Sequence, residues 1–230
     1  MLGESFARVG AALLPPRCLV CGAAGADADL CAACRGELPW NRACCARCAL
    51  PLPAPAPDCG ICQRRPPGFA ATVAPLLYAA PVDRLLTRFK FHADLASGRL
   101  LADVLGAALA GRVQGLDFIV PVPLHRRRLA QRGYNQTLEL ARPVARRLGL
   151  RLAPGLLHRT RATAAQSELD GAARRRNVRG AFAAAGDLSG ARILLLDDVV
   201  TTTTTVREAA ATLLDAGAAV VHVGAVARAP

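Results

Sequence analysis

Two neighbouring carboxylates, Asp197 and Asp198, close the apolar run Ile193–Leu196, and after two valines come five threonines, Thr201 to Thr205. Like charges side by side repel unless something answers them. The hydroxyls of a sugar, or a cation, would do so. Backbone N–H groups at a turn into a helix converge on one spot, and the helix dipole adds positive potential there. Threonine hydroxyls add further donors. The pattern fits a phosphate cradled by the turn, with a sugar held by the acids a short distance away. The predicted ligand is a 5-phosphorylated ribose. In the plainer reading, Asp198 caps a helix and the threonines are a low-complexity run.

A second set of reactive side chains lies near the other end. All nine cysteines fall between Cys18 and Cys62. Eight form CxxC pairs: Cys18/Cys21, Cys31/Cys34, Cys45/Cys48 and Cys59/Cys62; Cys44 is left over. That spacing lets one turn aim two thiolates at a single ion, and two turns complete the closed tetrahedral shell of structural zinc. Two zinc sites are predicted. Consecutive pairing gives Cys18/Cys21/Cys31/Cys34 and Cys45/Cys48/Cys59/Cys62; a cross-braced pairing is the alternative. An iron–sulfur cluster would accept the same ligands. Disulfides would need an oxidising compartment. The segment is poor in apolar residues, so metal would supply much of its folding energy.

The elements that must position these groups follow from periodicity. "ATVAPLLYAA" is strand-like, and Pro81–Arg112 is helical with a break near Ala93. "LDFIVPVPL" is a short apolar strand ending in prolines. "YNQTLELARPVARRLG" is helical, with Pro143 inside and Gly149 fit to close it. "LRLAPGLL" is strand-like. "ARILLLDDVV", "TTVREAAATLLDAG" and "AAVVHVGAVA" read as strand, helix, strand. Apolar strands alternating with helices predict an α/β fold, a parallel sheet flanked by helices, with ligands beyond the carboxyl ends of the strands. The acids and the threonine turn then share one crevice.

The 230 residues hold 53% apolar residues, enough for a core, and carry a net charge of +12. A basic surplus of that size favours phosphate-rich partners. Lys90 is the only lysine, and "RFKFHADLASG" is compatible with either a site or a surface position for it. At the start, Phe6, Val9, Leu13 and Leu14 fall at helical spacing, interrupted by charge, so a short docking helix fits better than a secretory signal. No stretch reaches the roughly 20 uncharged apolar residues of a membrane span. A cytoplasmic location is expected.

"ILLLDDVVTTTTT" resembles the phosphoribosyl-pyrophosphate (PRPP) signature of type I phosphoribosyltransferases. With the cysteine pairs, "VPVPLHRRRLAQRGYNQ" and "RTRATAAQSELDGAARRRNVRGAF", nearly the whole chain resembles the ComF family, which joins a double zinc ribbon to such a domain. The resemblance implies residues 1–66 as N-terminal helix and double zinc ribbon, and 67–230 as a phosphoribosyltransferase-like domain. It implies Asp197 and Asp198 on the ribose hydroxyls, and Thr201, Thr202, Thr203, Thr204 and Thr205 around the 5-phosphate. Pro123, Leu124 and His125 would line the pyrophosphate loop, with Mg²⁺ bridging pyrophosphate and ribose oxygens. Arg126, Arg127, Arg128 and Arg132 are suited to a departing pyrophosphate, Arg132 as a catalytic residue. Arg127, Arg132, Asn135, Gln136, Gln166, Arg176 and Asn177 fall in regions like the family's hood, toward an acceptor or DNA. A solvated basic face is the plain alternative for any single arginine. The family usually has glycine where this chain has Thr203, which bears on the loop because a β-branched residue disfavours positive φ.

The family's association with natural transformation and DNA utilisation leaves two functions open. One is a PRPP-dependent transferase with an unnamed acceptor. The other is a single-stranded-DNA-binding module whose phosphoribosyl site senses PRPP. The acid pair suits the first; the +12 charge suits the second.

Overall fold

The computed structural model describes residues 17–24, 29–161 and 178–230. The expected docking helix at the start, and Gln166, Arg176 and Asn177, lie outside the described residues.

Strands β1 (Ala71–Val73), β2 (Leu76–Leu77), β3 (Phe118–Pro121), β4 (Arg151–Leu152), β7 (Arg192–Val200) and β8 (Val220–Arg228) build one sheet. Its order is β1-β8-β7-β3-β4, with β2 beside β8, and every pairing is parallel. Strands β5 (Leu157–Arg159) and β6 (Phe182–Ala184) form a separate antiparallel pair. The parallel sheet confirms the α/β reading. Burial on both faces explains why β7 reads as an unbroken apolar run.

"LRLAPGLL" is not one strand. A 3₁₀ turn at Pro154–Leu156 divides it, sending β4 to β3 and β5 to β6. Strand β7 runs through both aspartates to Val200, as the strand reading of "ARILLLDDVV" has it, because β8 goes on pairing with it as far as Val200↔Arg228. β3 ends opposite Leu196. Asp197–Val200 therefore extend past β3, bonded to β8 and open toward β3. From β3 the chain moves outward to β4, while from β7 it moves the other way to β8. The crevice at such a reversal is where ligands of open α/β sheets bind.

Helices α1 (Ala32–Gly36) and α2 (Gly60–Arg64) belong to the cysteine-rich module. Helices α3 (Val82–Phe91), α4 (Leu95–Leu109), α5 (Arg126–Arg132), α6 (Gln136–Leu148) and α7 (Thr204–Asp215) flank the sheet. α3, α4 and α6 pack Leu86, Leu101, Leu105 and Leu140 into one buried cluster, and α7 packs Val206 and Leu213 into the other. Truncating one such leucine to alanine costs about 2–5 kcal/mol. Each half of the cysteine module joins a different cluster: Cys18 and Cys34 the first, Cys45, Cys48, Cys59 and Cys62 the second. The ribbons are thus built into the core.

Two local features set the site. The chain reverses between α3 and α4 at Ala93, in a left-handed conformation with φ 52°. Gly98 opens α4 where any Cβ would collide with the Phe89 ring. The close contact seats the end of α3, and with it Lys90, over the tip of β7.

Candidate phosphoribosyl site and zinc ribbons

The four sulfurs of Cys18, Cys21, Cys31 and Cys34 lie within 4.8 Å of one another, as do those of Cys45, Cys48, Cys59 and Cys62. Cys21 and Cys31 sulfurs are 3.9 Å apart, and those of Cys48 and Cys59 3.7 Å. Four ligands at about 2.3 Å around tetrahedral zinc sit about 3.8 Å apart. Both groups fit structural zinc, in the consecutive arrangement. Burial opposes ionisation of Cys18 and Cys59, yet amide N–H groups around each outweigh it and bring them down, to about 6 and about 7. Cys44 stands outside both groups.

At the tip of β7, Asp198 is buried and Asp197 half-buried. Successive strand residues point to opposite faces, so the two carboxylates diverge. Asp198 Oδ2 accepts from Gln136 Nε2 at 3.0 Å and pairs with Lys90 Nζ at 2.9 Å. Its Oδ1 accepts from the Val199 N–H at 2.7 Å, and Asp197 Oδ1 accepts from the Asp198 N–H at 2.9 Å. The charge on Asp198 is answered by Lys90. Asp197 is left with more proton affinity: burial first, then the Asp198 carboxylate, push it up to about 7, while the Asp198 N–H, Lys90 and Arg159 pull the other way. Gln136 Oε1 is buried and finds no partner among the described residues.

A cavity of about 940 Å³ opens over this tip. Its far wall is the threonine turn. Thr203 precedes α7 with φ 60° and ψ −3°, so the left-handed conformation is kept although the residue is β-branched. Such a residue costs about 1–3 kcal/mol and persists where its surroundings fix it. Arg207, one turn along α7, does so. Its N–H donates to Thr203 O at 2.8 Å, and its Nε to Thr203 Oγ1 at 3.0 Å. Its Nη2 donates to Arg65 O at 2.7 Å, just past the second ribbon. A second arginine ties the other end of the turn. Buried Arg228 donates from Nε to Cys48 O at 3.1 Å and from Nη1 to Val200 O at 3.2 Å. The second ribbon therefore braces the threonine turn at both ends.

Residues 9–64 match the family profile described as "Double zinc ribbon domain", and 135–230 match "Phosphoribosyl transferase domain". The chain is 36% identical over 204 residues to DNA utilization protein YhgH of Escherichia coli (strain K12), spanning 86% of this chain and 90% of that one. It is 32% identical over 164 residues to Competence protein F of Haemophilus influenzae, spanning 68% and 70%. This chain belongs to the ComF family. Among the described residues of this ComF-family chain, no helix is long and apolar enough to cross a membrane.

Of the residues singled out from sequence, Asp197, Asp198, Thr201, Thr203, Thr204, Thr205, Pro123, Leu124, Arg128, Arg132 and Gln136 line the cavity. Five others among the described residues stand elsewhere. Thr202 is exposed and shares a hydrogen bond with the Thr204 hydroxyl at 2.9 Å. His125 is buried and caps α5, accepting from the Arg127 N–H at Nδ1, 3.2 Å. Burial, then Arg126 and Arg127, hold its imidazole below the usual range. Arg126 and Arg127 face solvent. Asn135 caps α6, its Oδ1 accepting from the Thr137 N–H at 3.0 Å. The residues sequence reasoning left unassigned are Lys90, Phe91, Arg159, Arg207 and Arg228. For Lys90 the signal was its being the only lysine; the others read as ordinary members of apolar or basic stretches.

Proposed function

We propose that this ComF-family protein binds 5-phosphoribosyl 1-diphosphate in the cleft over β7 and transfers its ribosyl group to an acceptor. The relatives are a DNA utilization protein and a competence protein. We infer a corresponding place for this chain, in the handling of DNA or of bases derived from it. One observation carries the reading. An acid pair at the sheet's reversal point and a threonine turn at a helix N-terminus face the same cavity.

In this reading the 5-phosphate rests on the amides and hydroxyls of Thr201–Thr205, at the start of α7. Asp197 and Asp198 take the ribose hydroxyls, with Lys90 neutralising the acid that the sugar would otherwise meet fully charged. The oxygen donors lining the cavity are hard and suit Mg²⁺ arriving with the diphosphate. When bound, Mg²⁺ supplies charge neutralisation on the leaving group. Pro123 and Leu124 form the loop beside the diphosphate, with His125 behind them capping α5, and Arg128 and Arg132 offer it cationic partners. The bond from the anomeric carbon to the diphosphate oxygen breaks, and the diphosphate leaves with the electron pair. An acceptor nitrogen forms the new bond and gives its proton to solvent. The chain contributes orientation and electrostatic stabilisation, not a nucleophile of its own.

The +12 charge favours a second reading, in which the site senses PRPP and the protein holds single-stranded DNA without turnover. Incubation with labelled PRPP, Mg²⁺ and a panel of nucleobases separates the two. Release of pyrophosphate that depends on the base supports transfer. PRPP binding without release, together with DNA affinity that falls steeply with salt, supports the second reading.

A further inference from the structure

The cleft has a rim that the phosphate and ribose roles leave unused. α3 ends in Phe89, Lys90 and Phe91. Phe89 is buried at 1% exposure and Lys90 reaches Asp198, but Phe91 is 67% exposed. Solvent around an aromatic ring forgoes the largest burial gain a side chain offers. The Phe91 ring is not left bare of partners, however. The Arg132 guanidinium sits 5.1 Å from its centroid. That contact joins α3 to α5 across the mouth, and both residues line the cavity.

Two large exposed apolar side chains meet here. The large exposed apolar side chains among the described residues are Ile61, Tyr78, Phe91, Leu95 and Leu129. Tyr78 and Phe91 line the cavity, and Leu129 follows cavity-lining Arg128. The backbone beside Phe91 also carries strain, with Ala93 at φ 52°. Strained residues held at a cavity mouth fit a functional turn better than a solvent-facing one.

An open ring backed by a guanidinium, at the mouth of a cavity that Arg128 also lines, selects a flat π-system attached to or accompanied by negative charge. We propose that Phe91, supported by Arg132, is the platform on which a nucleobase stacks at the mouth of the phosphoribosyl cleft. The inference rests on the phosphoribosyl reading for its orientation, since stacking there sets the base beside the ribose. The base comes either free or as part of a single strand.

The test is optical. Trp40 is the sole tryptophan and lies outside the cavity, its Nε1 donating to Arg35 O. In a Trp40→Phe background, Phe91→Trp places the reporter on the platform. Saturable quenching by adenine, hypoxanthine or uracil would assign a free base. Quenching by a short oligothymidylate alone would assign a strand. Inorganic pyrophosphate, which has no ring, should leave the emission unchanged. In parallel, Phe91→Ala should weaken binding of the quenching probe about tenfold, the usual loss for one base–aromatic stack. Absence of quenching by every ring probe overturns the platform, as does equal quenching by pyrophosphate or undiminished affinity in Phe91→Ala. A PRPP titration of the unaltered protein, run alongside, reports on the phosphoribosyl reading separately: it can fail while the quench persists, and the reverse.

Discussion

Thr203 offers a perturbation whose size can be worked from the structure. At φ 60° an L-residue stands about 1–2 kcal/mol above its right-handed alternatives, and branching at Cβ moves threonine toward the upper end. Replacing it by glycine recovers that strain. Glycine then costs about 0.5–1 kcal/mol in backbone entropy. The change also deletes the Arg207 Nε to Thr203 Oγ1 hydrogen bond, a net of about 1 kcal/mol. These nearly cancel. Thr203→Gly should match the wild type within about 1 kcal/mol. Thr203→Val keeps the shape and the strain but loses the acceptor, and should cost about 1 kcal/mol. Urea denaturation of the zinc-loaded protein measures both, and in thermal melts each kcal/mol should move the Tm by about 2–4 °C. A double-mutant cycle of Thr203→Val with Arg207→Met should return a coupling of about 1 kcal/mol. If valine were as stable as threonine, or glycine raised stability by the full strain energy, the arginine strap would have no compensating role.

Three further outcomes follow from the same geometry. Asp197 binds its proton up to about pH 7 in the fold, against 3.8 as the ordinary value, so between those limits the folded state holds the extra proton. Stability should therefore fall as pH rises through that window and level off above it, and Asp197→Asn should flatten the slope in a pH series of thermal melts. Lys90→Met strands the buried Asp198 carboxylate and should cost about 3 kcal/mol in denaturant titrations, most of it recovered when Asp198→Asn is added. Removing metal with a strong chelator should release two zinc ions per chain, read with a colorimetric zinc indicator, and should raise amide exchange at Val200–Thr205 as well as in the ribbons, because Arg228 ties Cys48 to Val200.

What sequence could and could not convey has a physical pattern. The zinc shells were legible because CxxC spacing is a local constraint, and the consecutive pairing follows from pairs close along the chain. The apolar run of β7, the threonine turn and the start of α7 at Thr204 were legible for the same reason. That Asp197–Val200 overrun the end of β3 was not. It depends on β8 continuing alongside while β3 stops, pairings that no local pattern in "DDVV" announces. Lys90 came to the acids through the α3–α4 reversal, and Phe91 came with it. The arginines that brace the turn were the least legible. Arg207 bonds a carbonyl 142 residues away and Arg228 one 180 residues away, and in sequence each is one basic side chain among many. The "LRLAPGLL" reading failed because Pro154 and Gly155 outweigh the apolar run around them.

In the proposed function, the tip of β7 and the threonine turn hold one phosphoribosyl ligand together. Calorimetric titration of PRPP with Mg²⁺ tests it most directly, on the wild type and on Asp197→Asn/Asp198→Asn, each verified as folded by its thermal melt. Saturable one-site binding to the wild type is expected, with a loss of at least about a hundredfold in the double variant, from two charge-assisted contacts. No heat of binding to the wild type, or equal affinity in both proteins, would contradict it.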